Sequence, residues 1–401
     1  MKILQINSTC GFGSTGRIAV DILNTVCENG GEGLICYGRG TAPSGVPSYK
    51  IGSETLVKIH GVLSRVTDRQ GFYSTNATKA LVRKIEEYGP DIIHLHNIHG
   101  YYLDIRVLFD YLKKCGKPIV WTLHDCWAFT GHCAHFTVAG CDKWKTGCNN
   151  CPSKKEYPQS LFLDNSGKNY NEKKALFTAV DNMHIITPSY WLRDTARQSF
   201  LAKYPIEAIY NGIDLEIFKK TDSDFREKYN LQDKKTVLGV ANVWQENKGL
   251  GDFIKLSNVL PDEYRIVLVG LTEKQISSLP EKIIGISRTE NLLQLVQIYS
   301  AADVYVNASR EETMGLTTVE ALACGTPAVV YNETAVPEVV DSTCGTVVKS
   351  GDIDALLNAV CSVSFSQESC RKRAELFEKN KQYNKYIGLY KDILSENRRE
   401  K

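Results

Sequence analysis

The chain has 401 residues, 43% of them hydrophobic, and a formal net charge of +2 at pH 7. That length is roughly two to three domains' worth of chain, and the apolar fraction supports sizeable buried cores. The near-neutral charge removes any bulk electrostatic case for a nucleic-acid partner.

No apolar run approaches the ~18 residues of a membrane span. The start, Met1-Lys-Ile-Leu-Gln-Ile-Asn, lacks the apolar region of a signal peptide and reads as a first strand. A cytoplasmic protein is therefore expected, with its 13 cysteines mostly reduced. After Asn7 comes a glycine-rich turn (Gly11, Gly13, Gly16), then Arg17 and an apolar helix with Ile18, Ile22, Leu23 and Val26. Strand, glycine loop and helix start form a nucleotide-binding pattern that is weak by itself. Gly13 and Gly16 are candidates for close backbone approach to a ligand. Arg17 is either a phosphate partner or a surface charge at a helix start. Leu34-Ile-Cys-Tyr is a second strand. Between Leu56 and Arg69, Leu56, Ile59, Val62, Leu63 and Val66 interleave with Lys58, Arg65 and Arg69. Two readings fit that spacing: an ordinary core-facing helix with a solvated side, and an amphipathic helix lying on a membrane surface.

The strand Asp91-Ile-Ile-His-Leu-His delivers His94, His96, Asn97 and His99 to its carboxyl end. Alternation puts His94 and His96 on one face. Such a pair can bind metal, but no third ligand is near in sequence, and a polar lining is the preferred reading. Pro118 to Leu123 forms the next strand, with His124 at its exit. A histidine there can donate, accept or share a proton near neutral pH, and Asp125 is placed to orient its ring.

Residues 126–152 form an insertion containing Cys126, Cys133, Cys141, Cys148 and Cys151, with His132 and His135 between them. Cys148-x-x-Cys151 lets two thiolates converge on one ion, and two further cysteines close a tetrahedron. The expectation is a structural Zn2+ on Cys133, Cys141, Cys148 and Cys151, with no open coordination position and no part in chemistry. His132 or Cys126 is an alternative ligand. An iron–sulfur cluster, a disulfide pair and unligated thiols are the competing readings. A loop without a core of its own would draw its stability from such a metal. Further on, Ser189 is expected to cap a helix beginning at Tyr190.

The interdomain boundary is placed at 207/208. Thr236-Val-Leu-Gly-Val-Ala opens a second sheet and leads to Lys248-Gly249 at a helix start, where a lysine can neutralise a diphosphate. Two more strands follow, then Ser287, Arg288 and Thr289, with Thr289 the expected cap of the next helix. From Asp303 to Tyr331 the pattern is strand, loop, helix, tight turn and strand. Such a unit implies a parallel pair with ligands beyond the strands' carboxyl ends. Gly315 opens the helix onto amides suited to phosphate. Glu312 and Glu320 are carboxylates suited to vicinal hydroxyls, or else helix-start charges favoured by the dipole. Asp222-x-Asp224 and Asp352-x-Asp354 read as helix caps, so no catalytic metal is expected.

Glu312, seven intervening residues, Glu320 and the following Ala-Leu-Ala-Cys-Gly-Thr-Pro resemble the signature of the retaining glycosyltransferases of family 4. The likeness runs almost end to end. The cysteine-containing middle section is similar to a bacterial exopolysaccharide and colanic-acid-type subgroup. The resemblance implies a GT-B fold of class α/β, two Rossmann-like doubly wound parallel-sheet domains facing a cleft. Residues 1–207 would be the acceptor-side domain, 208–381 the nucleotide-sugar domain, and 382–401 a helix crossing back to the first. It implies retaining transfer of a sugar from a nucleotide-sugar, UDP by default, to a glycan or lipid-linked acceptor in surface polysaccharide biosynthesis. Glu320 would bind the ribose hydroxyls and Glu312 the donor sugar. Met314, Gly315 and Leu316 would give backbone contacts to sugar and diphosphate, and Lys248 would meet the phosphates. Arg288 falls beside the nucleobase. The loop of Gly13, Gly16 and Arg17 falls near the donor phosphates or the acceptor. His124 would contact the donor sugar near the bond being broken. The arginine that the family places shortly before the lysine is missing, and Arg17 or Arg310 is the candidate replacement. Lipid-linked acceptors in the family add weight to peripheral contact at the inner face of a membrane. The alternatives are a nucleotide-sugar epimerase of the same fold, a non-catalytic sugar-binding relative, and a zinc module that only binds a partner.

Overall fold

The structure is a computed structural model that describes residues 1–399. Glu400 and Lys401, the end of the expected 382–401 segment, lie outside the described residues. Contacts divide the chain into two units: Met1–Tyr210 joined by the segment from Gln382 onward, and Asn211–Lys381.

The first unit is built on seven strands: β1 Lys2–Thr9, β2 Glu32–Arg39, β3 Ser48–Lys50, β4 Ile92–Leu95, β5 Ile119–Thr122, β6 Met183–Thr187 and β7 Ile206–Ala208. They lie in the order β3-β2-β1-β4-β5-β6-β7, and every neighbouring pair is parallel. The strands are short and buried on both faces, as the runs of Ile, Val and Leu require. Alternation sends Leu4, Ile93 and Trp121 into one core, with Phe109 and Phe177. Ile3, Ile92 and Val120 go into the other, and the C-terminal helix Lys379–Arg399 covers that face with Tyr383, Tyr386, Ile387, Tyr390 and Ile393. β7 belongs to this first sheet, paired with β6 through Ile185 and Ile206. The boundary at 207/208 would cut that strand, and it moves to between Tyr210 and Asn211.

The second unit has six strands: β8 Lys235–Val240, β9 Tyr264–Val269, β10 Ile283–Ile286, β11 Val304–Asn307, β12 Ala328–Tyr331 and β13 Gly345–Val348. Their order is β10-β9-β8-β11-β12-β13, again all parallel. Ser189 and Asp352 cap helices through their side chains, accepting from the amides of Leu192 and Ala355. Thr289 does not. Asn291 caps the helix Leu292–Ala301, because its side chain reaches the Gln294 amide. Asp224 stands at a cap position without a side-chain bond, and the Phe225 amide goes instead to Ser223 Oγ at 3.2 Å.

The helix Glu54–Thr67 carries its apolar stripe outward. Leu56, Ile59, Val62, Leu63 and Val66 are 39–58% exposed, while Val57, His60, Gly61 and Ser64 are buried. His60 stands edge-on to Tyr73 and Tyr101. The small residues Gly61 and Ser64 let the helix settle on that side, so the core-facing expectation for the aliphatic side is overturned. Exposed Leu161, Phe162 and Leu163 lie beside it, with the Leu161 amide donating to Arg65 O at 2.8 Å. Among the described residues no helix is long and apolar enough to cross a membrane.

Candidate functional site

Each sheet reverses its strand order once, between β1 and β4 in the first unit and between β8 and β11 in the second. Loops leaving the carboxyl ends at such a point diverge and open a crevice that binds ligands. Most of the donor-site and histidine candidates singled out from the sequence lie at these two reversals.

In the second unit β8 leads to the turn Glu246–Lys248, and β11 leads to the loop holding Glu311 and Glu312. Lys248 Nζ lies 2.6 Å from Glu312 Oε1 and donates to Glu311 O at 3.2 Å. Both side chains are about a quarter exposed (25% and 24%), so the pair stays open to a ligand. Gly315 caps the helix Leu316–Ala323 at φ +86°. A Cβ there would meet nothing closer than 3.6 Å, so backbone angle and not crowding requires glycine. The first-turn amides of this helix lack partners four residues back and form an anion-attracting end. Glu320, a turn further on, accepts from Tyr299 Oη at 2.8 Å. Leu316 is half-buried. Met314 is buried, and its Sδ accepts from the Asn211 amide at 3.2 Å.

The structure thus gathers Lys248, Glu312, Met314, Gly315, Leu316 and Glu320 at one reversal. Arg288 stands apart, exposed on the loop after the edge strand β10. Arg310 is already engaged: its guanidinium pairs with Asp252 Oδ2 at 2.5 Å and donates to Glu246 O at 3.2 Å. It braces the turn that carries Lys248. The Tyr299 hydroxyl on Glu320 escaped sequence reasoning. Its only signal was helical spacing, which marks Tyr299 as a core residue.

In the first unit the glycine loop opens the helix Gly13–Glu28, whose first turn carries no acidic residue. Gly13 and Arg17 are exposed and Gly16 is buried. A Cβ on Gly16 would fall 2.7 Å from Thr9 Oγ1 and 3.1 Å from the Gly11 amide. The close approach it permits is helix onto strand end.

His94 and His96 share a face as alternation requires, with ring centroids 4.1 Å apart. Their nitrogens are consumed by the protein. His94 meets Thr122 Oγ1 at 2.8 Å and Tyr390 Oη at 2.7 Å. His96 meets Gln5 Oε1 at 2.8 Å and His124 Nε2 at 3.0 Å. Asp125 also meets partners other than the ring it was expected to orient. Its Oδ2 lies 2.8 Å from His99 Nε2, and its Oδ1 accepts from the Trp127 amide. Burial works to raise the Asp125 carboxyl, but His99, His135 and the Trp127 amide outweigh it and hold it at about 2.

Burial pushes five imidazoles down: His60 and His124 to about 4, His94 to about 3, His96 well below its ordinary value and His184 below it too. Below the unfolded value of ~6.5 the unfolded chain binds protons that these folded rings refuse, so stability rises with pH in that window. Acidifying from pH 7 to pH 5 is therefore expected to remove on the order of several kcal/mol of stability. Urea midpoints at pH 7, 6 and 5 check this. A flat series would mean the rings titrate freely.

The insertion is not without a core, as its composition implied. Phe136 and Trp144 stack at 4.8 Å, with Phe129 against them. Cys133, Cys141, Cys148 and Cys151 line one small cavity beside these rings. Among the described residues no disulfide forms, and no three His, Cys, Asp or Glu side chains are already gathered as a metal-holding group.

Two family models match this chain, "Glycosyltransferase Family 4" over residues 33–217 and "Glycosyl transferases group 1" over residues 234–364. WcaC of Escherichia coli (strain K12), described as a colanic acid biosynthesis glycosyl transferase, is 24% identical over 98% of this chain and 100% of its own length. Sucrose-phosphate synthase from Thermosynechococcus elongatus superposes with a TM-score of 0.72 at 16% identity, covering 98% of this chain and 99% of that one. Anabaena HepE, solved with UDP and glucose, gives 0.67 at 16% identity, covering 97% and 98%. The two parallel sheets are those of the GT-B fold, and the chain belongs to the glycosyltransferases of family 4.

Proposed function

We propose that this glycosyltransferase moves a sugar, with retention at the anomeric carbon, from a UDP-sugar to a glycan or lipid-linked acceptor in surface polysaccharide biosynthesis. The observation that carries the reading is the Lys248–Glu312 pair, 2.6 Å apart at the strand-order reversal and one short loop from the Gly315 helix end. Cleaving the donor releases a nucleoside diphosphate. Lys248 and the amides at Leu316 and Thr317 stabilise the charge that develops on it. Glu312 accepts from sugar hydroxyls and Glu320 from the ribose, held in aim by Tyr299. Among the first unit's residues we assign His124 to the transferred sugar. The leaving phosphate itself helps deprotonate the acceptor, an internal return in place of a double displacement.

Two comparisons and one surface support the finer points. WcaC is named for colanic acid biosynthesis, and HepE was solved with UDP and glucose. The exposed aliphatic face of Glu54–Thr67, with Lys58 and Arg65 on the same helix, favours peripheral contact with the membrane that carries a lipid-linked acceptor.

The test is nucleotide release from UDP- and GDP-sugars, with and without lipid-linked acceptor, for the native protein and Glu320→Ala. One donor consumed only with acceptor, and a variant without turnover, is the expected result. Donor consumed without acceptor would favour the epimerase. No donor bound by either protein would end the transferase assignment of this site.

A further inference from the structure

The geometry points to a structural zinc site in the 126–152 insertion, held by the thiolates of Cys133, Cys141, Cys148 and Cys151. All four line a single cavity of about 10 Å³, the scale of one ion. The Cys133 and Cys151 thiols already hydrogen-bond one another.

What surrounds the sulfurs is arranged for negative charge. The Gly131 amide donates to Cys148 Sγ at 3.1 Å, and the Ser153 amide donates to Cys151. Two ring nitrogens of residues lining the same cavity, His132 Nε2 and Trp144 Nε1, are buried without a hydrogen-bond partner. Such orphans are costly unless something answers them. A thiolate cluster in the cavity does so. Lys173 is buried beside it, donating to Trp127 O at 2.5 Å.

The sulfurs are not yet at metal-bond spacing. Turning a cysteine about χ1 between staggered wells relocates its Sγ while leaving the backbone in place, and three of the four residues are only half-buried. Cys-x-x-Cys supplies the local pair, and a soft donor set of four sulfurs selects zinc over hard cations. The ion would tie the strand-exit segment at Cys133 to the loop before the helix Ser166–Phe177. With four ligands it has no open position and takes no part in the reaction.

The experiment is metal analysis of full-length protein purified without a metal resin. About one zinc per chain is expected. Cobalt exchanged into the native protein should give an intense sulfur-to-metal band of tetrahedral thiolate type, a readout that needs no variant. The double change Cys148→Ser with Cys151→Ser should abolish both signals, whereas Cys27→Ser, at an exposed cysteine, should leave them unchanged. Metal-free protein whose four thiols react with a thiol reagent as fast as Cys27 would overturn the site. So would a native thiol count two short, which marks a disulfide. Neither result touches the donor-site reading, which rests on the other unit.

Discussion

Lys248→Ala is expected to lower kcat/KM for the nucleotide-sugar by about 10²- to 10³-fold, the loss typical of removing one preorganised donor from a developing anion. Most of it should fall on kcat, because the diphosphate gains its extra charge only as the glycosidic bond breaks. The fold should survive. The Lys248–Glu312 pair is partly solvated, and such pairs contribute about 0–1 kcal/mol. Steady-state kinetics beside a thermal melt separate the two effects. A stable variant within threefold of native activity would take the diphosphate role away from Lys248, and Arg17 would become the residue to test next.

Ending the chain at Lys381 is expected to unfold the first unit. That cut removes Tyr383, Tyr386, Ile387, Tyr390 and Ile393, all buried against Ile3, Ile92, Val120 and Ile186. Five such side chains at ~1.5–3 kcal/mol each amount to roughly 7–15 kcal/mol, which matches the ~5–15 kcal/mol that holds a whole domain. The cut also strands two buried hydrogen bonds, Tyr386 with Thr122 at 3.0 Å and Tyr390 with His94 at 2.7 Å. The six strands of the second unit keep all their sheet neighbours. Limited proteolysis should therefore degrade the first unit and leave a protected fragment near residues 211–381. Tyr390→Phe is the milder companion and should cost about 1–3 kcal/mol through the unsatisfied His94 nitrogen. A truncated protein with an intact first unit would show that the helix only decorates it.

The fold was legible because parallel strands buried on both faces leave continuous Ile, Val and Leu runs. The second-unit site was legible because Lys248-Gly249 and Glu312-x7-Glu320 each carry their chemistry in short-range spacing. What spacing could not carry was sheet order. Only the adjacency of β8 and β11 brings Lys248 onto Glu312, across 64 residues. The same limit explains Asp125, whose partner His99 arrives on the loop after another strand. It explains Gly16, whose neighbour Thr9 is met only when the helix folds back on β1. The helix Glu54–Thr67 failed differently. Its period marks an apolar side, but burial was decided by Gly61, Ser64 and the tyrosines around His60, which hydropathy does not weigh.

The row of rings at the ends of β4 and β5 has a consequence for where protons sit. Gln5 Nε2 donates to Ala19 O at 2.9 Å, so its Oε1 is the atom that faces His96. A carbonyl only accepts, and His96 Nε2 must carry the hydrogen. Burial keeps His96 neutral, so its Nδ1 is a lone pair, and His124 Nε2 must be the donor across the 3.0 Å between them. With His124 neutral as well above about pH 4, its one basic nitrogen is Nδ1. The tautomer of the ring at the strand exit is thus assigned, through two hydrogen bonds, by a glutamine amide on the first strand of the chain.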